Sequence, residues 1–163
     1  MDTPVNPGAE KRLKLLPVGK IKAGSGYGCR GEFVNYFAYA SNLNKKRMQE
    51  HCPDSQPKFM ATLPNYKLIF TGWSREWRGG KATIVSSRGD RVRGAIYDVT
   101  EICLKKLDRF EPGYTRINVT VYDEDNEPAQ AVTYIKSGQI EESSPSQEYA
   151  AVVRQGYLDW SIT

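Results

Sequence analysis

Two groups of residues in this 163-residue chain have types and spacing that could do chemistry: a lone acid and a polar turn. Glu111 sits in Leu107-Asp108-Arg109-Phe110-Glu111-Pro112-Gly113-Tyr114. Pro112 and Gly113 stop the preceding helix and turn the chain into the next strand. A carboxylate at such a junction, between Phe110 and Tyr114, can be partly desolvated, which raises its pKa and suits it to act as a general base. The plainer alternative is a solvated acid at a helix end. An acid there opposes the helix dipole, which points to another reason for its presence. The second group is Tyr36-Phe37-Ala38-Tyr39-Ala40-Ser41-Asn42-Leu43, running into Asn44-Lys45-Lys46-Arg47-Met48. An apolar, aromatic run that ends on small polar residues before a helix-forming segment predicts a buried strand, a tight turn and a helix N-terminus, with Ser41 or Asn42 as the cap. The first amides of such a helix suit a carboxylate or phosphate, although the same pattern also serves ordinary strand-to-helix connections.

Other chemistries are poorly supplied. The three cysteines (Cys29, Cys52, Cys103) are widely spaced, and the only histidine, His51, adjoins Cys52. A zinc site needs three or four ligands at recognisable spacing. Neighbours on a helix point to different faces, so Cys52 and His51 do not read as a catalytic pair, and the cysteines read as structural or incidental. Neither a dinucleotide-binding glycine fingerprint nor a phosphate-binding loop is present. No metal or cofactor is expected.

The elements that must position these groups follow from patterning. Residues 1 to 32 are polar, basic and rich in Gly and Pro, and read as a flexible or accessory segment with a hairpin left open. The folded body, residues 33 to 163, reads as a single domain. Val34 to Tyr39 predicts the first strand and about Asn42 to Glu50 a helix. Tyr66 to Thr71 predicts a strand, and Trp73 to Gly80 an aromatic, basic loop. Ala82 to Ser86 and Val92 to Val99 predict two strands joined by a hairpin at Arg88-Gly89-Asp90. Thr100 caps a helix bearing Leu104 and Leu107. Tyr114 to Tyr122 alternates strictly, with Ile117, Val119 and Val121 on one face, and Ala129 to Lys136 returns as its partner across a charged turn. The last helix runs from Gln147 to about Trp160. Helices interrupting mostly antiparallel strands predict an α+β domain whose sheet curls into a small mixed barrel with flanking helices.

With 23 basic and 19 acidic residues the net charge is +4, which does not by itself imply nucleic acid. No apolar run approaches bilayer-spanning length. The basic stretch Lys11 to Leu16 is broken by Pro17 before any signal-like apolar region develops, and a cytoplasmic location is expected. The aromatics together with Arg88, Arg91 and Arg93 leave a single-stranded nucleic-acid binder as a competing class, but charged residues beside a hairpin are also a guard against edge pairing.

Taken together, the two groups resemble the γ-glutamylcyclotransferase family. Tyr36 to Leu43 is similar to that family's Y-F-A-Y-G-S-N-L loop and Leu107-Asp108-x-x-Glu111 to its acid motif. Gly79-Gly80-Lys81-Ala82-Thr83-Ile84 and Pro145-Ser146-Gln147-Glu148-Tyr149 fall in the expected order. The resemblance spans roughly Phe33 to Trp160. It implies a cofactor-independent cyclisation in which a γ-glutamyl amide's own α-amine attacks its γ-carbonyl, giving 5-oxoproline and a released amine or amino acid. By resemblance, Glu111 is the general acid–base. Tyr36, Phe37, Ala38, Tyr39, Ala40, Ser41 and Asn42 hold the substrate, with the amides gripping its α-carboxylate, and Tyr149 lies beside it. The implied partner is a small γ-glutamyl substrate, with no nucleic acid and no membrane, and a homodimer is left open. A member that binds γ-glutamyl ligands without turnover is the alternative. Ala40 stands where the family usually has Gly, which strains the backbone if φ is positive and narrows the pocket if φ is negative. Pro112 stands where Gly is usual. The loop Trp73 to Arg78 is a candidate lining for the leaving group, or a surface loop packing its tryptophans on the body.

Overall fold

A computed structural model describes residues 32–138 and 140–163. The segment expected to be flexible lies outside the described residues, apart from residue 32. Val34–Thr163 form one compact unit. It holds β1 (Val34–Ala38), a 3-10 turn (Ser41–Leu43), α1 (Lys45–His51), β2 (Gln56–Ser74), β3 (Gly79–Val99), α2 (Glu101–Phe110), β4 (Tyr114–Tyr122), β5 (Pro128–Lys136) and α3 (Gln147–Asp159).

The strands close into a barrel in the order β1-β3-β2-β4-β5. All neighbours are antiparallel except β1 and β5, which meet in parallel at Tyr36 and Val132. This is the mixed, mostly antiparallel barrel with flanking helices that the patterning predicts. Strand alternation splits the apolar residues into two cores. Phe37, Leu63, Ile84, Ile96, Val119, Val121 and Ala131 pack with Tyr149 and Val153 of α3 in one. Tyr36, Ala38, Ala95, Tyr97, Val99 and Tyr134 meet Leu43, Met48, Leu104 and Leu107 of the turn and helices in the other. Both faces of β1 are therefore buried, which accounts for its unbroken apolar run.

Two sequence expectations are corrected here. Arg88-Gly89-Asp90 does not reverse the chain. Both flanks pair with β2, whose partners step from Pro64↔Arg91 to Tyr66↔Ser86, so residues 87–90 bulge out of one long strand. Gly89 takes φ +88° there, and its amide donates to Asn65 Oδ1 at 3.0 Å. Likewise β2 begins at Gln56 rather than near Tyr66, passing through Pro57 and Pro64 with a register shift after each. A proline has no N–H for the ladder, and the shifts fall where that donor is missing.

A disulfide joins Cys52, the residue capping the C-terminus of α1, to Cys103 in the first turn of α2. These cysteines are structural. Gly156 lets α3 lie directly on the 3-10 turn, since a Cβ there would meet the Asn44 amide nitrogen at 2.6 Å. No helix among the described residues is long and apolar enough to cross a membrane.

Candidate active site

The chain between β1 and α1 folds differently from a simple cap. Ser41–Leu43 form a 3-10 turn closed by Leu43 N–H to the Ala40 carbonyl (3.0 Å) and Asn44 N–H to that of Ser41 (3.1 Å). The cap of α1 is Asn44, whose Oδ1 accepts from Arg47 N–H at 3.0 Å, and not Ser41 or Asn42. Asp159 accepts the Lys45 amide at 2.9 Å, so this helix start already holds a carboxylate of the protein. The 3-10 turn spends Ser41 to Leu43 on the change of direction between β1 and α1. Ser41 and Asn42 are instead buried in a cleft, where the turn leaves their own amides without a partner inside it. Ala40 has φ −140°, which an alanine adopts without the left-handed strain, so its methyl simply takes up room in the cleft.

The cleft is lined by Tyr36, Tyr39, Ala40, Ser41, Asn42, Ala82, Glu111, Tyr114, Tyr134 and Tyr149. Five tyrosines converge from β1 and the residue after it, β4, β5 and α3. Glu111 reaches them because it is the C-cap of α2. Its backbone (φ −122°, ψ 62°) has left the helix, and Pro112-Gly113 turn the chain at once into β4. Its side chain is 13% exposed. Oε1 lies 3.2 Å from Lys81 Nζ and Oε2 lies 3.5 Å from Asn42 Nδ2. The Asn42 amide group also donates to the Tyr36 hydroxyl at 2.9 Å, and its Oδ1 is buried without a partner.

Burial pushes the Glu111 carboxyl above its ordinary pKa, with the Lys81 and Arg47 charges opposing. Burial likewise raises the phenols of Tyr36, Tyr39, Tyr114 and Tyr134, and takes that of Tyr149 to about 12. The tyrosines are therefore neutral hydrogen-bonding groups at physiological pH. Several are pinned: Tyr39 donates to the Tyr134 carbonyl (2.6 Å), Tyr114 to the Ala82 carbonyl (2.6 Å), and Tyr149 accepts the Ala82 amide (3.0 Å). What results is a hydrogen-bonded, uncharged wall around one buried acid.

Beside Tyr149, the loop Trp73 to Arg78 divides. Trp73 is 69% exposed, whereas the Trp77 ring packs 5.2 Å from that of Tyr149, with the Arg47 guanidinium 4.9 Å above it. His51 stacks on Phe110 with ring centres 3.9 Å apart, and burial lowers its pKa to about 4. Arg47 Nε, His51 Nδ1 and Trp77 Nε1 are all buried without hydrogen-bond partners.

Of the residues singled out from sequence, Glu111, Tyr36, Tyr39, Ala40, Ser41, Asn42 and Tyr149 meet in this cleft. Phe37 and Ala38 do not. They are wholly buried on opposite faces of β1, one in each core, and their role there is packing. Sequence reading passed over Lys81, Ala82, Tyr114 and Tyr134 as site residues, with Tyr114 noted only as a neighbour of Glu111. Lys81 was visible inside the Gly79-Gly80-Lys81-Ala82 motif, but a lysine entering a strand looks like any solvated one. Tyr134 alternates regularly along β5 and gives no sign that it turns toward an acid.

A five-stranded mixed barrel, flanked by helices, that buries one carboxylate among neutral tyrosines is the fold and site by which this class of protein is set. The family described as "Gamma-glutamyl cyclotransferase, AIG2-like" matches residues 36–157. The chain is 33% identical over 134 residues to the γ-glutamylcyclotransferase of Bos taurus, covering 77% of this chain and 71% of that protein. It is 31% identical over 129 residues to the Homo sapiens γ-glutamylcyclotransferase, covering 74% and 68%. A solved γ-glutamyl cyclotransferase structure superposes with a TM-score of 0.77 at 29% identity, covering 80% of this chain and 82% of that one. The chain belongs to the γ-glutamyl cyclotransferase, AIG2-like family and is an enzyme of that family.

Proposed function

We propose that this enzyme converts a γ-glutamyl amide to 5-oxoproline and a free amine or amino acid, with Glu111 as general acid–base. The observation that carries the reading is the pairing of two acceptors in one buried cleft: the carboxylate of Glu111, and beside it Asn42 with its unpartnered Oδ1. Together they select a group rich in N–H donors, such as the α-ammonium of a glutamyl unit. A free amine of ordinary pKa is mostly protonated at neutral pH, so the first requirement is a base against it. Glu111 takes that proton. The freed amine attacks the γ-carbonyl and a five-membered lactam closes. The protonated Glu111 gives its proton to the leaving nitrogen as that C–N bond breaks. The regenerated carboxylate takes the second proton from the new lactam nitrogen and passes it to the released amine, which departs as an ammonium. A carboxyl with a raised pKa is suited to both halves of this exchange.

The nucleophile is the substrate's own, so the protein contributes mainly geometry. Holding amine and carbonyl in near-attack contact is worth effective molarities of about 10⁵–10⁸ M. The pinned tyrosines and the Ser41–Asn42 amides can supply that rigid mould, the amides facing the α-carboxylate. The leaving group then extends toward Trp77, Arg47 and His51. A small γ-glutamyl compound is thus the proposed ligand, the chemistry requires no cofactor, and a cytoplasmic setting would suit it. The test is release of 5-oxoproline from glutathione, γ-glutamyl amino acids and γ-glutamylamines by the native protein and by Glu111→Gln. Release that depends on Glu111 supports the reading. Equal release by both, or none from any compound, contradicts it.

A further inference from the structure

The two oxygens of Glu111 are not equivalent. Oε1 lies 3.2 Å from Lys81 Nζ, while Oε2 lies 3.5 Å from Nδ2 of Asn42, which lines the cleft. Both side chains of the pair are 13% exposed. Lys81 itself is not among the cleft's lining residues. Its ammonium lies 5.1 Å from the centre of the Tyr114 ring, whose hydroxyl is tied to the carbonyl of Ala82, the next residue along β3. Gly79 and Gly80 fix the start of that strand: a Cβ on Gly79 would meet the Ser146 amide nitrogen at 2.6 Å, and Gly80 N–H donates to the Ser144 carbonyl at 2.8 Å. The ammonium thus has one defined place, between an aromatic face and a carboxylate oxygen.

On the γ-glutamyl reading above, we infer that Lys81 is the positioning residue of the general base. It anchors Oε1, keeps a buried carboxylate charged, and by like charge favours the neutral form of the amine brought against Oε2. A buried carboxyl without a charged partner takes up a proton and ceases to be a base near neutral pH, and a cation in contact reverses this. A second ammonium next to Lys81 meets the same repulsion that activates amines placed beside other cations. Lys81 exchanges no proton in the cycle.

The other groups around the carboxylate do not substitute for it. From α1 come Arg47, which acts in the same sense without contact, and His51, uncharged near neutrality. From the β2–β3 turn comes Glu76, which acts in the opposite sense. Tyr36, Tyr39, Tyr114, Tyr134 and Tyr149 face it from the remaining elements as neutral phenols.

The test is a carbon-13 carboxyl titration of glutamate-labelled protein, with the Glu111 resonance identified by its absence in Glu111→Gln. It is run on the native protein, on Lys81→Met and on Lys81→Arg, with Lys81→Gln in place of the methionine variant if that one does not fold. The Glu111 midpoint rises by about one pH unit or more without the cation, a tenfold change in proton affinity, and stays near the native value in Lys81→Arg. The acid limb of kcat/KM for 5-oxoproline release moves up with it, so activity lost at low pH returns at higher pH. A midpoint that does not move, or an activity loss equal at every pH, overturns the inference. Absence of 5-oxoproline release by the native protein would count against the γ-glutamyl reading, while the titration would still decide whether Lys81 holds the carboxylate.

Discussion

Asp108 and Glu111 stand one helical turn apart at the end of α2, in opposite surroundings. The Asp108 side chain is 42% exposed and fully partnered. Arg116 holds it through two bonds of 2.9 and 2.7 Å, and the Tyr134 hydroxyl adds a third at 2.6 Å. The hydrogen bonds from Arg116, chiefly, hold its carboxyl below the usual range. Glu111 has one contact at 3.2 Å and one at 3.5 Å, and burial moves its carboxyl the other way. The difference comes from a single backbone step, because Asp108 remains on the helix surface while Glu111 has left the helix for the cleft. A satisfied, acidic carboxylate fixes architecture. An under-satisfied one with a raised pKa is equipped to exchange protons.

The comparison is broken most severely by exchanging charges in each acid separately. Glu111→Gln lowers kcat for 5-oxoproline release by about 10²–10⁴-fold, the usual worth of a general acid–base, whereas Asp108→Asn leaves it within about threefold of native. Steady-state kinetics on the two purified variants reads both numbers. A smaller effect comes from the wall of the cleft. Tyr149→Phe removes the acceptor of the buried Ala82 amide and costs about 1–3 kcal/mol of stability, read by urea unfolding. Asp108→Asn costs less, about 0–1 kcal/mol near pH 7, because the pair with Arg116 is partly exposed and screened.

The subtlest prediction concerns sign. Asp108 is more acidic in the folded protein than in the unfolded chain, so the stability it adds is present above its ordinary value of 3.8 and is lost as pH falls through the lower folded value. Glu111 is less acidic when folded, so its contribution is fully present below 4.5 and is lost as pH rises through the folded value. Measured against native protein, the melting temperature of Glu111→Gln therefore rises with pH across this window, while that of Asp108→Asn falls. Parallel trends in a calorimetric series would erase the distinction between the two acids.

Patterning alone revealed much of this architecture where one periodicity ruled. The alternation of Tyr114–Tyr122 marks β4 at both ends, and Thr100 caps α2 as expected, its side chain accepting from the Cys103 amide at 3.1 Å. It failed where two signals competed. Pro57 and Pro64 argued against a strand that absorbs them through register shifts, and Arg88-Gly89-Asp90 carried turn chemistry that a bulge also uses. At the site, the acid was a candidate from the helix stop between Phe110 and Tyr114, which left a solvated carboxylate open, and was singled out by the resemblance of Leu107-Asp108-x-x-Glu111. Its partner was not, because nothing in Gly80-Lys81-Ala82 says that the lysine will be buried against residue 111. Ser41 and Asn42 carried the composition of a helix cap, but the cap falls to Asn44 once the turn tightens.

The most direct test of the central claim is the pH dependence of kcat/KM for 5-oxoproline release by the native enzyme and by Glu111→Gln. If Glu111 is the buried general base, the native profile has an acid limb with its midpoint above 4.5, the ordinary glutamate value, and the residual rate of the variant has none. The same limb in both proteins, or undiminished release without the carboxylate, would contradict the account.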